Sequence, residues 1–403
     1  MTACAIETAA QDEAVARTRL TITADGTYAA RLAGSGEALF PERWTLDGPE
    51  PYAVPLPLDQ PEERDAEVLP LTDGRVLISR RTGERRAFSL LYPTGPGTGE
   101  LTLGALSAEE STLLPPSPDG VCAYALTPGE TSTGVWLVAG GAFGPEHIAD
   151  VPGRCSGGAW LDRTGRLLAL DRQQSGGPVK TVAVDLARGG EVTPLLEITD
   201  DSDDRLLLAD ADSGLLLIRS NAPGEGQDRL GWGVLGSLRP VRFPESLRLP
   251  DALVTPFAVQ PGQVLTPESC AVALRIDGAA GSRLGVWRPA GRRLHQLAAP
   301  QGWLAGAGTW SRDGVLRLPY ETGEVPCGVM RMEAPADGAA TGCAETFVLP
   351  DAKGVRSRGG GPVTGPAQAE SAGGQPCGAP ESPVMCKPVP LQQAPLTDRA
   401  TRG

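Results

Sequence analysis

A short motif of strand, tight Asp-Gly turn and strand recurs along this chain, and it constrains the fold more than any other feature. Its clearest copy is TWSRDGVLRL at residues 309–318. The copies place their turns at Asp25, Asp73, Asp119, Thr164, Ser213, Glu268 and Asp313. Successive turns are separated by 48, 46, 45, 49, 55 and 45 residues, and the sixth unit is the most degenerate. A near-constant period of this length predicts a repeat architecture.

A second landmark keeps the same period. A large side chain or a valine, inside a strand-like segment, follows each turn position by 15 to 19 residues. These residues are Trp44, Phe88, Trp136, Val182, Trp232, Trp287 and Met330. Each unit divides into four short strands, and the 52 glycines and 38 prolines supply turns between them.

Four short strands per repeat of about 40–50 residues are typical of a β-propeller blade. A single blade buries both of its faces only when neighbouring blades close into a ring. The sequence therefore predicts an all-β fold, a seven-bladed β-propeller of four-stranded antiparallel blades. The alternatives are six or eight blades, because the sixth unit is degenerate, or another all-β arrangement such as stacked sandwiches.

The turn motif also resembles a known group of repeats. TWSRDG at 309–314 and PSPDG at 116–120 are similar to the WD40-like repeats of TolB-type propellers and to the propeller domains of prolyl oligopeptidases. The resemblance covers residues 17–350 at a few positions per blade, and it implies fold rather than activity. The sequence departs from the peptidases because too few residues follow Pro350 for an α/β-hydrolase domain, and it lacks the Trp-Asp ending of true WD40 blades.

Composition divides the chain into three parts. Residues 1–16 are predicted to be a flexible leader, residues 17–350 the propeller, and residues 351–403 a Gly/Pro-rich disordered tail. The more apolar stretch at 383–391 suits a short docking motif or a strand added to a blade edge, and a plain disordered tail is the alternative. We see no signal peptide and no apolar run of membrane-spanning length, so we expect a cytoplasmic monomer.

Charge and cysteine usage narrow the range of partners. The net charge is −13, and such an acidic protein repels a phosphate backbone, so nucleic acid is not expected as a partner. No membrane association is expected either. The eight cysteines are scattered, with no CxxC pair and no metal-finger spacing, and they are interpreted as buried or idle thiols.

The sequence offers no convincing catalytic group. Its only two histidines, His147 and His295, fall on the predicted outermost strands, far from the central channel. Residues 153–157 (GRCSG) match a nucleophile elbow with Cys in place of Ser, but they lie in an interblade loop instead of a strand-to-helix turn. No phosphate-binding or dinucleotide-binding glycine pattern is present, so no catalytic residue and no cofactor is predicted.

One acidic run is a weak metal candidate. Asp200, Asp201, Asp203 and Asp204 form an oxygen-rich loop of the kind that can bind Ca²⁺. The run lacks the glycine and the terminal glutamate of a calcium loop, so a solvated acidic loop is the favoured interpretation.

A row of arginines is the most specific candidate binding feature. The predicted second strands of five units end in arginine, at Arg31, Arg80, Arg172, Arg219 and Arg275. The equivalent position is Tyr320 in unit seven and Thr127 in unit three. In this register the side chains emerge on one face and form a partial ring that suits an anionic ligand or an acidic partner segment. The alternative is pairing with acids on the same face, such as Glu62, Glu63, Asp65 and the 200–204 run.

These features favour a non-catalytic propeller that acts as an interaction scaffold and binds a protein partner through its loop-bearing face. The alternative is a small-molecule-binding or enzymatic propeller that uses the central channel, which fold alone does not exclude. The predicted first strands are mostly apolar or mixed, and this composition favours the scaffold.

Overall fold

A computed structural model describes residues 20–224 and 227–335, which form seven antiparallel sheets in chain order. Each sheet is a meander in which strands adjacent in sequence are adjacent in space. The strands of the first four sheets are β1 (Thr21–Ile22), β2 (Tyr28–Ser35), β3 (Ala38–Thr45), β4 (Tyr52–Pro55); β5 (Glu67–Pro70), β6 (Val76–Thr82), β7 (Arg85–Pro93), β8 (Thr98–Leu106); β9 (Thr112–Leu113), β10 (Ala123–Pro128), β11 (Ser132–Ala139), β12 (Glu146–Pro152); β13 (Arg154–Trp160), β14 (Leu167–Gln173), β15 (Val179–Asp185), β16 (Glu191–Leu196).

The remaining sheets complete the series. Their strands are β17 (Asp204–Ala209), β18 (Leu215–Ser220), β19 (Arg229–Val234); β20 (Ala252–Val259), β21 (Val272–Gly278), β22 (Gly281–Trp287), β23 (Leu294–Leu297); β24 (Thr309–Trp310), β25 (Val315–Tyr320), β26 (Gly328–Glu333). Three short 3₁₀ segments, Leu186–Arg188, Glu245–Leu247 and Pro267–Ser269, are the helical turns of the described part.

Seven apolar clusters close these sheets into a ring, one cluster at each boundary between neighbours. The last of them joins the two ends of the series, because Leu20 and Trp44 of the first sheet pack with Leu304 and Cys327 of the seventh. Each sheet therefore buries both faces against its neighbours. The predicted seven-bladed β-propeller is confirmed.

The recurring turn joins the first and second strands of each blade. Its glycine has a positive φ in six blades, at Gly26, Gly74, Gly120, Gly165, Gly214 and Gly314. In the first three blades an aspartate precedes this glycine and accepts hydrogen bonds from the backbone that follows; Asp119 Oδ1, for example, accepts from Val121 N at 2.8 Å and from Cys122 N at 2.9 Å. The sixth blade replaces this turn by a longer connection that contains Pro267–Ser269, which accounts for its degenerate sequence.

The second landmark marks the third strand of every blade. Trp44, Phe88 and Trp287 lie on β3, β7 and β22 and are fully buried.

Because a meander alternates direction, the first-to-second turns and the third-to-fourth connections share one face, here called the turn face. The second-to-third loops and the loops between blades share the opposite face, here called the loop face.

Two blades depart from the predicted four strands. The fifth has three, and only an isolated bridge between Trp232 and Arg242 stands in the place of its outer strand. The seventh has three within the described residues, and β26 is the last strand described. The predicted leader at 1–16, the tail at 351–403 and the segment at 383–391 lie outside the described residues. No helix in the described part is long and apolar enough to span a membrane.

Candidate functional site

The six residues of the predicted arginine row all lie on second strands: β2, β6, β14, β18, β21 and β25. Four of them stand within two residues of the loop-face end, whereas β2 continues four residues beyond Arg31 and β21 three beyond Arg275, so the prediction that the strands end at these positions is wrong for those two. Three of the guanidinium groups, however, are already paired with carboxylates. The row is therefore discontinuous in charge, and its role in binding stays a prediction.

The paired arginines have different partners. Arg31 bonds Glu42 at 2.8 Å and Glu321 of the seventh blade at 2.7 Å. Arg80 bonds Glu62 at 2.7 Å, which is one of the acids expected to neutralise the row, and Glu100 at 2.6 Å. Arg275 bonds Asp277, two residues along its own strand, at 2.6 Å.

Arg172 and Arg219 remain without a carboxylate partner among the described residues. Arg219 reaches only the carbonyl oxygen of Val254, at 3.4 Å. These two cations lie in the neighbouring fourth and fifth blades, and both are partly exposed. They are the members of the row that remain available to an anion.

A cleft of about 310 Å³ opens on the loop face where the second, third and fourth blades meet. We call it the loop-face cleft, and its principal lining residues are Arg86, Ser111, Leu126, Arg154, Cys155 and Ser156. They come from β7, from the connection between the second and third blades, from β10 and from the start of β13. Arg172 pairs across the sheet with Cys155, so the arginine row adjoins this cleft.

Arg86 is the buried cation among the residues that line the loop-face cleft. Its side chain is buried, with the residue 6% exposed, and its Nη atoms bond the carbonyl oxygen and the carboxylate of Asp65, both at 3.1 Å. Its Nε and the hydroxyl of Ser111 are buried and have no hydrogen-bond partner in the described part. Buried polar atoms are nearly always paired, so these two donors mark the cleft as a candidate place for a polar ligand.

Two further charged groups lie at or near the loop-face cleft. Burial raises the pKa of Glu67, even though Leu113 N donates to its carboxylate at 2.7 Å and Arg86 lies nearby. At the mouth, Arg154 pairs with Glu110 at 3.1 Å, and both side chains are exposed. An exposed pair contributes only about 0–1 kcal/mol, so Arg154 can exchange Glu110 for another carboxylate at little cost.

The cysteine of this cleft lacks the setting of a nucleophile. Burial raises the pKa of the Cys155 thiol, so the unreactive protonated form dominates at neutral pH. The prediction that GRCSG lies in an interblade loop is wrong, because β13 begins at Arg154 and contains residues 154–157. A strand position likewise lacks the strand-to-helix turn that a nucleophile elbow needs. The arrangement is therefore suited to binding an anion, and it lacks an activated nucleophile.

The acidic run is engaged in a structural network. Asp204 is fully buried and bonds Lys180 Nζ at 2.9 Å and Ser220 Oγ at 2.6 Å. Asp203 accepts from Val179 N at 2.7 Å, while Asp200 and Asp201 are exposed. Within residues 20–224 and 227–335, no three His, Cys, Asp or Glu side chains converge as metal ligands.

The two histidines lie on the outermost strands, as the register predicted. His147 is on β12 and packs edge-on against Trp136, with ring centroids 4.8 Å apart, and His295 is buried on β23. Sequence analysis did not find Arg86, Ser111 or Arg154. They share no motif, and residues 86 and 154 come together only because blades two to four are neighbours in the ring.

Comparison with known proteins gives fold-level likeness only. No family model matches the chain, and no curated protein sequence matches it. Similar solved structures include TolB from Acinetobacter baumannii, with 13% identity, a TM-score of 0.45, and 70% of this chain and 63% of that chain covered. Prolyl oligopeptidase B from Galerina marginata has 14% identity and a TM-score of 0.49, with 81% of this chain and 51% of that chain covered.

A puromycin-hydrolysing peptidase from Mycobacterium tuberculosis has 16% identity and a TM-score of 0.48, and the match covers 81% of this chain and 53% of that one. The chain thus spans about half to two thirds of the length of these proteins. TolB and the prolyl oligopeptidases, which the turn motif resembles, are both among the structural neighbours. The assignment of the fold itself rests on the strand pairing of this chain.

Proposed function

We propose that this propeller is a non-catalytic interaction scaffold whose loop face binds an acidic segment of a protein partner. The observation that supports it is the loop-face cleft, where Arg86 Nε and Ser111 Oγ are buried without partners. A carboxylate that enters the cleft would accept hydrogen bonds from these donors once their side chains turn toward it. Arg154, released from Glu110, supplies a second cationic contact at the mouth.

The distribution of free charge favours an extended segment over a compact ligand. Beyond the cleft, Arg172 and Arg219 continue the available cations onto the fourth and fifth blades. A peptide chain can follow these positions in sequence, with one acidic side chain in the cleft and others along the row. The predicted cytoplasmic location and monomeric state are part of this proposal, and they rest on the sequence alone.

The second candidate is a small anionic molecule bound in the same cleft. The volume of about 310 Å³ lies at the lower end of the range of small-molecule sites. A free carboxylate compound would need only Arg86, Ser111 and Arg154. The affinity for such a compound would not change when Arg219, which lies farther away, is substituted.

Affinity capture from the native host, with the full chain as bait, tests the proposal. The baits are the wild type, Arg154→Glu combined with Arg172→Glu, Arg219→Glu alone, and Arg188→Glu as a control on the turn face of the fourth blade. We expect a partner that both loop-face variants lose and the control retains. Capture unchanged by the loop-face variants would contradict the proposal, and calorimetric binding of free dicarboxylates that is insensitive to Arg219→Glu would favour the second candidate.

A further inference from the structure

A second cleft lies on the opposite face, between the fifth and sixth blades, with a volume of about 320 Å³. We call it the turn-face cleft, and its principal lining residues are Trp232, Arg239, Arg242, Pro267, Pro289 and Arg292. Trp232 lies on β19, the last strand of the fifth blade, and its isolated bridge to Arg242 stands in the place of the outer strand. The cleft is thus the space that a full outer strand would have narrowed.

Its walls combine apolar surface with unpaired positive charge. Pro240 and Pro267 supply the accessible apolar surface. Trp232 is only 7% exposed, and the Arg242 guanidinium lies over its ring, 5.2 Å from the ring centroid.

Arg239, Arg242 and Arg292 form no ion pair with any described residue. Glu268 is the one acid in the lining, so three cations face a single carboxylate. The cleft is therefore locally positive, although the chain as a whole has a net charge of −13.

Two features of the rim also indicate binding. Leu238 projects fully into solvent beside Arg239, with a relative exposure of 104%. Arg292 has φ +55°, and only one other non-glycine residue of the described part, Ser175, lies in the left-handed region. Such backbone conformations are costly, and they cluster at active sites, ligand clamps and switch regions.

We propose that the turn-face cleft binds an acidic peptide segment of a partner protein, with an apolar side chain against Pro240 and Pro267 and carboxylates on the three arginines. The apolar wall and the exposed leucine select against a simple inorganic anion, which has no surface to bury there. The acidic body of the protein selects against nucleic acid. Arg242, stacked on the indole, holds its charge in a fixed position, so a carboxylate there loses little side-chain entropy on pairing.

Selection from a random displayed peptide library against the immobilised full chain tests this inference. We expect enriched sequences with at least two Asp or Glu residues flanking an aromatic or aliphatic residue. The selected peptides, once synthesised, should bind Arg239→Glu/Arg292→Gly at least about tenfold more weakly, and the affinity should fall with added salt. Glycine at 292 suits the positive φ, so this variant is expected to fold.

Arg293→Glu is the matched control, because Arg293 is exposed and adjacent in sequence but does not line the cleft. It should leave peptide affinity within about twofold of the wild type. The inference is overturned by a selection without acidic enrichment, or by selected peptides that bind the double variant as tightly as the wild type. Peptides that bind the Arg154→Glu variant more weakly, but bind the double variant normally, would be ligands of the loop-face cleft. The experiment can therefore contradict either proposal without contradicting the other.

Discussion

At the scale of single residues, Asp204 shows how the chain uses its acids. Burial acts to raise the pKa of this carboxyl, but hydrogen bonds from Lys180, Ser220, the Ile198 amide and Ser202 outweigh burial and hold it below the ordinary value of 3.8. A carboxylate with a lowered pKa stabilises the fold above its unfolded pKa, and that contribution is lost as the pH falls through the folded value. Asp204 therefore serves stability at neutral pH.

We expect Asp204→Ala to lower the free energy of unfolding at pH 7 by about 3 kcal/mol, because Lys180 is left largely buried without its carboxylate. The expected loss is at the low end of the range for a broken buried ion pair, because Lys180 keeps its hydrogen bonds to the carbonyl oxygens of Thr199 and Ser202. Urea unfolding curves measure the difference, which should shrink as the pH falls below 3.8. Asp201→Ala, an exposed neighbour, should change stability by less than about 0.5 kcal/mol; equal losses from both variants would contradict the assigned role.

At the scale of elements, the turn between the first and second strands also locks neighbouring blades together. Thr72 of the second blade donates to the carbonyl oxygen of Gly120 in the third through both its amide, at 2.9 Å, and its hydroxyl, at 3.0 Å. A Cβ built on Gly120 would lie 2.1 Å from Thr72 Cγ2. The glycine is thus required by its positive φ and by the close approach of the next blade.

Substitution of two glycines with the same conformation separates these requirements. Gly36 has φ +63° and open space around it, whereas Gly120 has φ +69° and the Thr72 contact. Gly36→Ala should cost about 1 kcal/mol from backbone strain alone. Gly120→Ala should cost at least about 2 kcal/mol, since Thr72 must also move. Thermal unfolding of both variants measures the difference, and equal losses would show that the packing contact contributes nothing.

The elements were predictable from sequence where their cause is local. The Asp-Gly turns and the large side chains of the third strands depend on neighbours within a few residues, so they gave the seven blades and the strand order. The sequence did not predict the missing outer strand of the fifth blade, although the structure shows the residues that cause it. Pro240 and Pro244 lack a backbone N–H and flank the segment that pairs with Trp232, and this limits the pairing to one bridge.

The candidate sites were less predictable because they depend on contacts across the ring. Sequence placed Arg80 and Arg172 at equivalent positions, yet Arg80 meets Glu62 from the preceding interblade loop, and Arg172 has no such partner. Both clefts are assembled from different blades, with residues brought together only when the ring forms. The loop conformations that decide these pairings have no periodic signal.

At the scale of the whole molecule, the ring closes between the first and seventh blades. Arg31, buried on β2, reaches Glu42 in its own blade and Glu321 in the seventh. Beneath this network, Cys327 packs in the apolar cluster that joins the two blades. A repeat array held by neighbour contacts depends on each boundary, and the boundary between the ends of the series is the one that makes the array a closed ring.

Alkylation of two thiols can report on that closure. Burial raises the pKa of Cys327 to about 12 and that of Cys270, at the boundary of the fifth and sixth blades, to about 11, so both react only when their surroundings open. Arg31→Met leaves the buried Glu42 without its cation, and we expect it to speed the labelling of Cys327 at least tenfold, equivalent to about 1.4 kcal/mol. Labelling of Cys270 should stay within about twofold, and Glu321→Gln, at a partly exposed position, should have little effect. Peptide mass spectrometry measures the labelling rate of each thiol separately. An equal increase in both rates would mean that the ring opens as one unit, and that the boundary between the first and seventh blades does not open independently.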